Sequence, residues 1–130
     1  MMEEHDYLVY HAIQTPDGTI LESLHRHDFR SHKDSVSGET YMIDGGIDYL
    51  RGSVNTIKPK DLSVYISDGH EKVREYVTWG TYGKNGDEPF RRVKLKDMET
   101  DHIKACLKTQ RMHPGYLAAF NEELRYRGEK

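Results

Sequence analysis

With one cysteine, Cys106, the chain can close no disulfide within itself, which excludes the cysteine-stapled class of small secreted domains. It also lacks an apolar run as long as a signal-peptide core or a membrane span, so a soluble, cytoplasmic protein with no membrane partner is expected. Aliphatic side chains are scarce: 35% of residues are hydrophobic against 32% charged, and mean hydropathy is -0.86. A chain of 130 residues suffices for one domain spanning residues 1–130, but its core must be thin. A core shared with a second copy, in a homodimer, would relieve that shortage. Nine tyrosines relieve it in another way, because aromatic rings bury large areas and keep a polar tip for hydrogen bonds. An excess of positive charge is missing too: 19 Lys and Arg face 22 Asp and Glu, interspersed, for a net charge of -3. General nucleic-acid binding is therefore not expected. Eight histidines, several beside arginines, still allow a local cationic patch once the pH falls below about 6.5.

What is present reads as α+β, with antiparallel β-meander and hairpin strands over 7–96 and a C-terminal helix pair over 99–127. Thr15-Pro16-Asp17-Gly18 separates two β-rich runs, 7–14 and 19–25, and carries the residues of a tight turn. A second hairpin is expected from 29–33 and 40–43 around a turn at 35–38, with Tyr41 and Ile43 on one face. Asp44-Gly45-Gly46 then ends the sheet, and Ile47, Leu50 and Arg51 at helical spacing predict a short helix. Residues 52–60 read as a connecting loop and 62–66 as a short strand. In 73–82 the first turn admits a helix and the second half, with Trp79, favours a strand, followed by a loop over 83–89 and a strand over 90–95. A helix opening at Glu99 or Thr100 would bury Ile103, Cys106 and Leu107. Pro114 suits the first turn of a last helix burying Leu117, Phe120 and Leu124. Glu123 and Arg127 form a supporting pair there, and Glu3-Glu4-His5-Asp6 reads as a solvated tail.

The densest chemistry lies in His25-Arg26-His27-Asp28-Phe29-Arg30-Ser31-His32 and, just beyond, Asp44-Gly45-Gly46. Three readings stay open. In the first, His25, His27, Asp28 and His32 hold a divalent metal such as zinc or manganese; a His-x-His pair on a strand points both imidazoles to one face. Asp28 and His32 fall on the opposite parity, so convergence requires a bend between Asp28 and Phe29. In the second, Arg26, Arg30 and Arg51 clamp a phosphate, Gly45 and Gly46 let the backbone approach beside Asp44, and Tyr41, Tyr49 or Trp79 stacks on a base. In the third, the stretch is a solvated polar hairpin and the glycines a chain reversal. No G-x-S-x-G elbow and no P-loop lysine is present, and Cys106 falls in an apolar helix stripe, so nucleophilic catalysis is not expected.

Thr15-Pro16-Asp17-Gly18-Thr19-Ile20-Leu21, His25-Arg26-His27-Asp28-Phe29, Asp44-Gly45-Gly46-Ile47-Asp48-Tyr49-Leu50-Arg51, Trp79-Gly80-Thr81-Tyr82-Gly83 and Asp97-Met98-Glu99-Thr100-Asp101-His102-Ile103 together resemble a family of small uncharacterised accessory proteins of tailed bacteriophages. Glu122-Glu123-Leu124-Arg125-Tyr126-Arg127 is similar to the ending of such proteins. The resemblance implies a phage origin and a role directed at the host, and it assigns no activity or residue.

The leading expectation is a non-catalytic phage accessory protein, for host takeover or anti-defence, that binds a host protein or a small nucleotide signal without a cofactor. The first alternative is a small metal-dependent hydrolase or phosphoesterase built on the histidine cluster. The second is a minor structural phage protein.

Overall fold

The structure is a computed structural model that describes residues 6–83 and 85–129. Of the tail expected at 3–6, only Asp6 falls within the described residues, and its carboxylate accepts from the Ser67 N–H and hydroxyl. Lys84, in the expected 83–89 loop, lies outside them. The architecture is α+β, with antiparallel sheets and three helices. The described residues pack as two compact units: one built from 10–64, the other from the residues up to Val9 together with the chain from Tyr65 onward.

In the unit formed by residues 10–64, the expected turn chemistry sets the first hairpin. Strand β1 (Leu8–Gln14) enters from the other unit and pairs antiparallel with β2 (Ile20–Ser23), in a register running from His11 opposite Ser23 to Gln14 opposite Ile20. The Gly18 N–H donates to the Thr15 carbonyl at 2.9 Å and closes the turn. The second hairpin joins β3 (Arg30–Lys33) to β4 (Thr40–Asp44), and β5 (Arg51–Gly52) adds to the far side of β4. A short β6 (Lys60–Asp61) flanks β1 on the side away from β2. As period two predicts, Tyr41 and Ile43 point inward together, joining Leu21 and Ile13 in the apolar cluster of this unit. Tyr41 is fully buried, and its hydroxyl donates to the Ile57 carbonyl at 2.5 Å, so its polar end is satisfied.

No helix forms over 47–51. The Asp48 and Tyr49 N–H groups both donate to the Gly45 carbonyl, Leu50 takes a left-handed φ of 41°, and the chain leaves at once into β5. One turn held by two bonds cannot propagate once the next residue abandons helical geometry.

In the other unit, β7 (Val64–Tyr65) leads through a single 3-10 turn into α1 (His70–Tyr76), which is longer than the one turn expected and begins before Val73. Strand β8 (Thr78–Thr81) follows, as the aromatic and β-branched run predicts, and pairs with β9 (Arg91–Lys94). Helix α2 (Thr100–Thr109) buries Ile103 and Cys106. Helix α3 (Pro114–Tyr126) starts at the expected proline, with the His113 Nδ1 accepting from the Gly115 N–H at 3.0 Å as its cap. Its buried stripe departs from expectation. Gly115, Ala119, Phe120 and Glu123 face inward, while Leu117 is 44% exposed. A carboxylate thus occupies a core position. Among the described residues no helix is long and apolar enough to cross a membrane.

Candidate functional site

All the expected ligand residues except Trp79 lie in the 10–64 unit, at the end of the sheet where the β2–β3 connection meets the loop after β4. A buried serine clasps the two. Ser23 Oγ donates to the Asp28 carbonyl at 2.8 Å and accepts from the Gly46 N–H at 2.7 Å. Gly46 has a φ of 53°, and a side chain there would bring its Cβ within 2.8 Å of the His25 carbonyl group. Glycine is required at this contact on both counts. Tyr49 covers Gly45 in the same way: a Cβ at Gly45 would lie 2.6 Å from the Tyr49 ring.

Two buried carboxylates brace these loops from beneath. Asp28 accepts from the Leu24 N–H at 2.8 Å and from Arg30 Nε at 2.9 Å. Burial pushes its carboxyl up, but those two donors outweigh burial and hold it below the usual range. Asp44, 4% exposed, accepts from its neighbour Gly45 N–H and from Arg51 Nη2 at 2.9 Å. Arg30 and Arg51 therefore each carry a carboxylate partner, and the Gly45 and Gly46 N–H groups are both taken. The phosphate cradle expected from Arg30, Arg51, Gly45 and Gly46 is closed by these internal partners.

What faces outward is different. Arg26 is exposed and pairs with no carboxylate among the described residues. On the same two loops Phe29 is 55% exposed, Leu50 47% and Tyr49 38%, and the Arg26 charge acts on Tyr49. Partial burial and then the Asp44 charge push the Tyr49 phenol up, against the opposing charges of Arg51 and Arg26. His27 holds a left-handed φ of 66°, and its Nδ1 lies 3.0 Å from the Tyr49 hydroxyl. Leu50 is the other non-glycine residue with positive φ among those described. Such backbone is costly for side chains with a Cβ and persists where surrounding contacts impose it.

The expected metal set does not assemble. His25 Nε2 comes to 3.8 Å of Asp28, but His27 turns to Tyr49 and His32 leaves for the first hairpin. The reason is the pleat: His32 pairs with Tyr41 across β3–β4 and points toward the β1–β2 turn. There its Nε2 donates to Asp17 Oδ2 at 2.8 Å, and Asp17, His32 and Asp34 bring potential ligand atoms within 4.8 Å of one another. Sequence reasoning missed this trio, because Asp17 and His32 sit on different hairpins. Its oxygens are already engaged. Asp17 accepts from His32, from the Ser35 N–H and hydroxyl, from the Thr15 hydroxyl and from the Thr19 N–H. Asp34 accepts from the N–H groups of Asp17, Val36 and Ser37. His32 first, then the Ser35 N–H, hold the Asp17 carboxyl far below its ordinary value. The arrangement ties two turns together. Asp34→Ala is expected to lower the urea midpoint of unfolding, whereas added zinc or manganese leaves the wild-type midpoint unchanged; a cation-dependent rise would mean that the trio is a metal site.

Trp79 belongs to the other unit. Its ring stands 5.3 Å from Phe120 and 6.3 Å from Tyr116, partly buried on helix α3. It is a packing residue there.

That unit holds the most strongly organised charge cluster, which the sequence did not announce. Glu123 is fully buried and receives Arg74 at 2.8 and 2.7 Å, Arg127 at 2.6 Å and His70 at 2.8 Å. Burial pushes its carboxyl up, but the bonds from Arg74, Arg127 and His70 outweigh it and lower it to about 2. His70 also lines a groove of about 460 Å3 with Val73, Ala119 and Arg125. A second groove of about 550 Å3 beside the start of α2 is lined by Glu88, Asp97, Glu99, Asp101 and His102 over Val93 and Met98. Cys106 is buried away from use, and burial pushes its thiol up.

Compared with known proteins, the chain matches no family model, no curated protein and no solved structure.

Proposed function

We propose that this protein is a non-catalytic binding protein whose recognition surface is the pair of loops at residues 24–30 and 44–51, and that its partner is a protein presenting acidic and apolar groups together. One observation carries the reading: strained, exposed side chains are displayed on a buried, hydrogen-bonded base. His27 and Leu50 are held at positive φ while Ser23, Asp28 and Asp44 lock the loops beneath them. Arg26, Phe29, Tyr49 and Leu50 are then exposed on these two loops, and arginine and tyrosine are among the side chains that dominate binding energy at protein interfaces. A small nucleotide signal is less well served, because the glycine N–H groups and two of the three arginines are already bonded inside.

The sequence resemblance to accessory proteins of tailed phages supports placing that partner in the host, with host takeover or anti-defence as the role and the host cytoplasm as the setting. In affinity capture from a bacterial host lysate, Arg26→Ala with Leu50→Ala is expected to weaken retention of a specific host protein about 100-fold, the loss of two central contacts of over 1 kcal/mol each. Raising the salt should weaken the wild-type complex as well. Unchanged retention by a folded double variant would remove these loops from the interface.

A further inference from the structure

Beneath the glycine loop lies one polar atom that nothing satisfies. His11 is 8% exposed, and its Nδ1 is buried without a hydrogen-bond partner among the described residues. Buried polar groups are nearly always paired, so an orphan calls for a reason. Its position supplies one. His11 stands directly opposite Ser23 in the β1–β2 register, and Ser23 is the residue whose hydroxyl clasps Asp28 to Gly46. The ring itself faces the Gly46 backbone carbonyl. Of the elements around it, β2 presents Ser23, the glycine loop presents its backbone, and β6 contributes the charge of Asp61.

We propose that His11 is an acid-sensitive latch for the 44–51 loop, holding the recognition surface in shape while the imidazole is neutral and releasing it when the ring takes up a proton. Neutral imidazole donates from one nitrogen and leaves the other bare, which suits a buried ring whose Nδ1 has no partner among the described residues. Protonation places an N–H on both nitrogens, of which the buried Nδ1 has no hydrogen-bond partner among the described residues, and adds a charge in a buried site. Burial accordingly holds the ring's pKa below its ordinary value, against the opposing pull of the Gly46 carbonyl and Asp61. A group with a lowered folded pKa resists the proton in the closed state and accepts it readily in the open one. Closure is therefore fully favoured above about pH 6.5 and is lost as the pH falls toward the folded value.

That these loops form a recognition surface rests on the preceding reading, so the test is made on the free chain. Hydrogen exchange at the Gly46, Asp48 and Tyr49 amides, corrected for intrinsic rates, is followed from about pH 7.5 down to about pH 5. The opening constant of these amides is expected to rise by up to about tenfold for each pH unit below about 6.5, and His11→Gln should flatten that rise. His25 and His27 lie in the neighbouring loop, and their contribution is what remains in the variant. Should His11→Gln fail to fold, the wild-type imidazole is followed by NMR: its titration midpoint should fall below 6.5 and coincide with the shift of the Gly46 amide. An equal slope in the variant, no slope in the wild type, or a ring that titrates apart from the loop would overturn the latch. The Arg26 and Leu50 capture experiment is made at neutral pH, where the latch is closed, so either idea can fail alone.

Discussion

Glu123→Ala is expected to cost about 3–5 kcal/mol of folding stability, the range for breaking a buried ion pair from one side. The substitution leaves Arg74, Arg127 and His70 converging on a space with no counter-charge, with side chains only 21%, 17% and 14% exposed. Their other contacts do not compensate. Arg127 reaches the carbonyls of Leu95 and Lys96 and the Thr100 hydroxyl, and Arg74 lies 4.4 Å from the centre of the Tyr126 ring, but among the described residues neither forms an ion pair with a second carboxylate. Since small domains hold a total of about 5–15 kcal/mol, equilibrium urea unfolding should detect the loss easily. A carboxyl lowered to about 2 in the folded chain and near 4.5 when unfolded adds stability that is complete above about pH 4.5 and is lost as the pH falls through about 2. That difference corresponds to about 3 kcal/mol, so wild-type stability should fall steeply in this acid window. In Glu123→Gln the fall should be shallower. An acid profile identical in both proteins would mean that the cluster contributes nothing through its charge.

The second large effect concerns Gly46. Gly46→Ala is expected to destabilise the 10–64 unit by about 2–4 kcal/mol, the sum of a left-handed backbone for a residue with a Cβ and a 2.8 Å approach to the His25 carbonyl group. The His25 atoms are main chain, so relief requires the whole 24–30 loop to shift. Gly38→Ala separates the two causes. Gly38 has a φ of 74°, yet a Cβ there meets nothing within 4 Å, so that variant carries backbone strain alone. Thermal unfolding should rank Gly46→Ala well below Gly38→Ala, and equal losses would show that the contact with His25 is not tight. Binding should follow the same order, because only Gly46 sits in the clasp with Ser23.

The parts of this structure that were legible in the sequence are those written in local chemistry. Proline and glycine at fixed turn positions placed the β1–β2 hairpin, alternation put Tyr41 and Ile43 inward, and Pro114 marked the start of α3. The failures share a cause. The helix expected over 47–51 rested on three residues at helical spacing, too few to outweigh Leu50 leaving helical geometry. His32 was grouped with its sequence neighbours, whereas the pleat aims it at Asp17, fifteen positions earlier. The expected pair of Glu123 with Arg127 forms, but spacing does not reveal that Arg74 and His70 also reach Glu123 from 49 and 53 positions away. A carboxylate on the same stripe as Ala119 and Phe120 was the available signal, and it gains meaning only once its distant partners are known. The candidate surface was legible as composition, since arginine, tyrosine and paired glycines stood close together. Which of those groups are spent inside and which are displayed depends on burial, and no spacing encodes that.

The order of the chain gives one more result. Residues 10–64 are continuous and hold the proposed recognition loops, whereas the other unit joins residues up to Val9 to the chain from Tyr65 onward. During synthesis the first unit therefore has all its residues outside the ribosome while the second still lacks α3 and, with it, Glu123. Translation that stopped short of α3 would leave Arg74 and His70 without their carboxylate but would already have supplied every residue of the proposed recognition surface. The loops are therefore synthesised well before the carboxylate that the Arg74 and His70 cluster needs.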